Sequence, residues 1–260
     1  MVPPLVSSRE PMFNVPPVVL ATIAVLVLVH LVRVYGLDSR EDVQLLLTFA
    51  FIPARFESGQ FADVLPGGFG AEIWTFFTYA LFHGDASHLG LNAIWLLAFG
   101  SAVARRFGAL RFVLFFAITA AAGAAAHLVA HPRGFVPVIG ASAAISGCMA
   151  AAIRFVFQAG GPLGVLRGEA AGSYRQPAPP LLVVLRDPRV MLFLAMWFGL
   201  NLLFGIGSIS VGESDQAIAW EAHIGGFLAG LLLFPLFDPV GRYGSRSDHD
   251  PDEPRFSAER

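Results

Sequence analysis

Ile218–Phe237 reads IAWEAHIGGFLAGLLLFPLF. A helix needs about 20 apolar residues to cross the hydrocarbon core of a bilayer, and this run has that length with one carboxylate, Glu221, near its start. Ala222, Gly226 and Gly230 recur every fourth residue, a spacing that lets a second membrane helix approach backbone to backbone. His223 sits in the first two turns of the same run. An ionisable group at membrane depth is costly, so its presence there is a functional hypothesis by default.

Five more runs of this kind precede it: Val18–Tyr35, His88–Ala104, Leu110–Ala130, Ser142–Gln158 and Val190–Gly207. The second and fourth are short for a full span, which is tolerable where protein rather than lipid covers the helix end. Of the 260 residues, 55% are hydrophobic and 14% charged, against about 25% charged in an average soluble domain. The expected fold is therefore all-α, a polytopic six-helix membrane bundle spanning 18–238. A segment 1–17 precedes it, a long first connection occupies 36–87, and a charged tail, 239–260, is read as disordered. The first run follows one Arg and one Glu and no small-residue cleavage site, so it reads as a retained span. A net charge of −2 gives no reason to expect nucleic acid. The single cysteine, Cys148, excludes an internal disulfide and a Cys-pair metal site.

Arginines set the expected orientation. Arg105, Arg106 and Arg111 lie in the second-to-third connection, and Arg154, Arg167, Arg175, Arg186 and Arg189 in the fourth-to-fifth region. The fifth-to-sixth connection has Glu213 and Asp215 and no arginine. Both termini are then cytoplasmic, and runs two, four and six descend from the outer face. That arrangement puts His88, Asn92, Ser142 and His223 within roughly 10 Å of one depth, at a rise of 1.5 Å per residue. Their chemistry is complementary. A serine hydroxyl is a weak nucleophile until a base takes its proton, and an imidazole does this near neutral pH. His88 and Asn92, spaced i, i+4, share a helix face and can both donate to an oxyanion. Ser142 opens its helix after Pro137 and Gly140, where backbone N–H groups are unpaired and favour an anion.

These residues resemble the rhomboid intramembrane serine proteases. Trp74–Asn92, WTFFTYALFHGDASHLGLN, is similar to the family's first-loop end and HxxxN element; Gly140-Ala141-Ser142 to its GxS motif; and Ala222–Gly226, with Gly230, to its AHxxG helix. The resemblance covers roughly residues 70–235. It implies a Ser142/His223 catalytic dyad, oxyanion contacts from His88, Asn92 and the Ser142 backbone, and no cofactor. It further implies a membrane-lipid environment and single-span transmembrane proteins as substrates. The expected location is a bacterial inner membrane; oligomeric state is not indicated. Three positions depart from the family pattern. Thr75 stands where an arginine often follows the tryptophan, which touches loop anchoring. Ala143 replaces a glycine after the serine, which touches the oxyanion site. Ser146 stands one turn on, where some members place an aromatic against the histidine, so the imidazole must be held differently.

Blander readings compete. Ser142 suits a helix N-cap, Asn92 a helix-to-helix hydrogen bond, Ser146 packing, and His83 and Asp85 a turn. His127 and His131, spaced i, i+4, fit a metal, but with no HExxH and no evident third ligand they read as interface histidines. Glu221 reads as solvated. Two other functions fit less well: a catalytically inactive relative that binds transmembrane clients, and a small transporter, which would carry polar groups at the midplane and in both leaflets.

Overall fold

The computed structural model describes residues 15–57, 64–162, 170–206 and 219–241. The first fourteen residues, Arg167, Glu213, Asp215 and the tail beyond 241 lie outside the described residues, and with them the expectations of a disordered tail and an acidic fifth-to-sixth connection. Among the described residues the architecture is helical, and the extended backbone pairs at one isolated bridge, Phe51 with Val138.

Pro17 starts α1, Pro17–Leu31, at the first-turn position where its missing N–H costs nothing. A π turn, Val32–Gly36, extends it. Asp38 and Glu41 close a reciprocal capping box on α2, Ser39–Phe49. Next come α3, Gly68–Thr78, and α4, Ala86–Phe107, which is continuous through a π turn at Leu96–Gly100. Then follow α5, Ala109–Ala130, and α6, Ser142–Ile153. After two one-turn helices the chain ends its described part with α7, Pro188–Ile206, and α8, Trp220–Phe237.

Four of these, Pro17–Gly36, α4, α5 and α8, are long and apolar enough to cross a membrane, and α6 and α7 are shorter apolar helices. The six apolar runs of the sequence thus fall in six helices. The second is not short: α4 has 22 residues, because Arg105 and Arg106 lie within its last turn, where cations complement the helix dipole. The fourth is shorter than expected, ending at Ile153. At 1.5 Å per residue its 12 residues span only about 18 Å. Every residue from Ala143 to Ile153 is buried, so neighbouring helices, not lipid, surround it. Leu20, Leu28, Leu110, Leu228, Leu232 and Leu236 are exposed on the outer helices, as lipid-facing side chains should be.

The core is α6 against α8, with α5 packed on both. A methyl group at Gly226 would fall on the Ala143 carbonyl, and one at Gly230 on the Gly147 carbonyl. The expected small-residue seam is therefore present on α8, and its partners on α6 are Ala143 and Gly147.

The described residues of the first connection are tied down by packing and hydrogen bonds. Phe51, Phe56, Phe76 and Tyr79 form an aromatic cluster, and the Tyr79 hydroxyl donates to the Ala120 carbonyl at 2.8 Å. Buried Arg55 donates to the carbonyls of Pro66 at 2.8 Å and Leu47 at 2.5 Å. Thr75 donates only to Ala71 on its own helix, so Arg55 supplies loop anchoring that position 75 lacks. At the opposite end of α4, Arg106 makes a two-pronged ion pair with Asp238, at 2.9 and 2.8 Å, and donates to the carbonyls of Tyr174 and Gln176.

Candidate active site

Ser142 is the first residue of α6 and His223 the fourth of α8. The glycine seam brings the two helices close enough for the Ser142 hydroxyl to lie 2.7 Å from His223 Nε2. Both residues are half-buried. The other ring nitrogen, Nδ1, lies 2.6 Å from Asn201 Oδ1, on α7. Asn201 Nδ2 donates to the Trp197 carbonyl at 2.8 Å, which fixes which end of the amide faces the ring. The amide oxygen is only an acceptor, so Nδ1 carries the proton and Nε2 is left to accept from the serine.

The sequence reading missed Asn201. The signal was present: an amide inside the apolar run Val190–Gly207, the same kind of anomaly that singled out Asn92. What hid it was direction, because α7 runs antiparallel to α4, α6 and α8 and its polar residue falls late rather than early.

Gly140 shapes the approach to Ser142. Its φ of +121° is a conformation that L side chains rarely adopt, and a Cβ there would lie 2.8 Å from His88 Nε2 and 3.6 Å from the Ser142 hydroxyl. The His88 imidazole and the serine therefore flank one small gap over Gly140. His88 Nδ1 accepts from the Gly84 N–H at 3.4 Å, which leaves the proton on Nε2, facing that gap. Asn92 is buried one turn further along α4, with Nδ2 donating to the His88 carbonyl at 2.9 Å. No contact joins it to Ser142, so it stands behind His88, with its second N–H uncommitted.

Of the bland readings, the one for His83 is revised. Asp85 caps α4 by accepting from the His88 N–H at 2.8 Å, as a turn residue would. His83 does more: it is fully buried, and its Nε2 accepts from the Ala141 N–H at 3.5 Å, bracing the loop before the serine. Burial, with His88 and His30 nearby, pushes its pKa down to about 3, so it is a neutral strut. Ser146 donates back to the Ser142 carbonyl at 2.8 Å, a packing role. The Ala143 methyl lies against Gly123 of α5, in the helix interface.

The Rhomboid domain family matches residues 70–238, the stretch that carries all of these groups. The chain belongs to the rhomboid family. It is an integral membrane protein of the rhomboid type, all-helical and polytopic. A relative, the rhomboid protease GluP of Bacillus subtilis (strain 168), is 36% identical over 80 residues, a match covering 31% of this chain and 15% of that protein. This rhomboid therefore spans only a small part of the relative's length, and its similarity to that protein concerns one segment.

Proposed function

We propose that this rhomboid is an intramembrane serine endopeptidase that cleaves single-span membrane proteins with a Ser142/His223 dyad. The observation that carries the reading is the 2.7 Å contact between the Ser142 hydroxyl and His223 Nε2, with Nδ1 tied to Asn201. In the first step the serine oxygen attacks the scissile carbonyl carbon while Nε2 takes the hydroxyl proton. Negative charge develops on the carbonyl oxygen. The Ser142 N–H, unpaired at a helix start, and His88 Nε2–H stabilise it, with the free N–H of Asn92 behind them. The imidazolium then protonates the leaving amine, and the acyl-enzyme forms. Water, deprotonated by the same Nε2, attacks the ester and regenerates the serine. Asn201 is a positioning residue, keeping the tautomer in which Nε2 can act as base.

The site lies at the end of the bundle where α4, α6 and α8 begin. With the arginine-rich connections at the other end, that end is the outer face, and both termini are cytoplasmic in a bacterial inner membrane. The test is cleavage of a single-span substrate in liposomes. Ser142→Ala and His223→Ala should each lower kcat by about 10⁴-fold or more, and a fluorophosphonate should label the wild type but not Ser142→Ala. Full activity in Ser142→Ala sinks the mechanism; a folded wild type that neither cleaves nor labels favours an inactive client-binding protein.

A further inference from the structure

The end of α5 and the first turn of α8 meet beside the site. His127 and His131 are one turn apart on α5 and its C-terminal cap, and Glu221 comes from α8. The three offer donor atoms that all lie within 4.8 Å of one another. Each carboxylate oxygen faces one imidazole: Oε1 is 2.9 Å from His131 Nε2, and Oε2 is 3.6 Å from His127 Nδ1. The second distance is too long for a hydrogen bond, and the buried His127 Nδ1 atom has no hydrogen-bond partner, although it lies within ion-pair range of Glu221. Burying an unsatisfied nitrogen has a cost, and here the atom points at a carboxylate that it does not reach. Two ligands of one tetrahedral zinc, each about 2.0–2.1 Å from it, stand about 3.3 Å apart. The 3.6 Å gap is close to that separation, and the 2.9 Å contact of His131 with Glu221 is a direct hydrogen bond that a bound cation would replace. The nearest arginine in sequence, Arg133, is committed to Glu57 at 2.9 Å.

We propose that His127, His131 and Glu221 form a site for a divalent transition metal of the zinc class, fastening the end of α5 to the first turn of α8. Two imidazoles and a carboxylate are a ligand set that zinc accepts, leaving a fourth position to water. Imidazole donors select such ions over magnesium or calcium, which prefer oxygen. Glu221 and His131 are accessible, with side chains 16% and 49% exposed, so an ion can enter. The proposal does not depend on proteolysis.

It is tested on the full-length protein in detergent, affinity tag removed, by titrating Zn²⁺ against a chromophoric chelator. Wild type and Ser142→Ala should each bind one equivalent at micromolar affinity or tighter, and Mg²⁺ should not compete. His131→Ala and Glu221→Gln should lose more than the about tenfold that even an outer-shell change costs. Zinc should raise the melting temperature of the wild type and of neither variant, and equal melting in chelator shows both variants to be folded. A wild type that binds no zinc, or variants that bind as it does, overturn the site. So does binding that survives His131→Ala but is lost in His223→Ala, which would put the ion on the active-site imidazole.

Discussion

The His223 imidazole is gripped at both nitrogens, by Ser142 at 2.7 Å and Asn201 at 2.6 Å. An aromatic ring one turn past the serine would hold it by stacking; Ser146 cannot, and the amide from α7 takes over that role. Replacing Asn201 by Ala frees the ring to rotate and to carry its proton on either nitrogen. We expect kcat to fall roughly 10- to 100-fold, part of the 10²–10⁴ that a positioned base contributes, with KM nearly unchanged. Steady-state cleavage kinetics check this, and an unaltered kcat would show that α7 plays no part in orienting the base. His83 offers a second test at this scale. Its native pKa is depressed from 6.5 to about 3, so between those values the unfolded chain binds the proton and the native one does not. Its contribution to stability is complete above pH 6.5 and declines as pH falls towards 3. Wild type should therefore lose up to about 1 kcal/mol per pH unit more than His83→Gln across that window. Melting curves of the two proteins at pH 7.5 and 5 measure the difference.

At the scale of elements, the distance between α6 and α8 decides whether the dyad exists. Gly226 and Gly230 let the backbones touch at Ala143 and Gly147. A single methyl at Gly226 must push α8 away from the Ala143 carbonyl. Gly226→Ala should cost about 1–3 kcal/mol, the usual penalty of overpacking. It should also reduce cleavage well beyond any loss of folded protein, because the displaced helix carries His223. Gly199→Ala, with open space around the added methyl, should stay within about 1 kcal/mol of the wild type. Thermal melting and cleavage on the same preparations separate the two effects; equal behaviour of both variants would refute the seam's role. The seam was legible as a four-residue spacing on α8. Its counterpart was not legible, because α6 is small-residue-rich on every face and the sequence does not say which face turns to α8.

Across the whole molecule, the candidate site and the most buried ion pair among the described residues lie at opposite ends of the bundle. Arg106 and Asp238 have side chains 0% and 8% exposed, and Arg106 also stacks over Phe155 and Phe234. It joins the end of α4 to the residue that follows α8. Removing one partner of such a pair strands a buried charge, so Arg106→Ala should cost about 3–5 kcal/mol. Because the pair is a full helix length from Ser142, kcat per folded molecule should hold below the lowered melting temperature. A melting point unchanged by the substitution would show that the pair contributes nothing net.

The amino-acid sequence alone determined the membrane class, the six apolar helices in outline and four polar residues of the candidate site, for one physical reason. Lipid punishes polar groups, so His88, Asn92, Ser142 and His223 stand out against apolar surroundings in one dimension. Tertiary structure decided what those groups touch. Asn201 became the partner of His223, Arg55 the anchor of the first connection, and Glu221 the third donor beside His127 and His131. The Asn201 and Glu221 pairings join separate helices whose approach depends on helix rotation and separation, and hydropathy is blind to both.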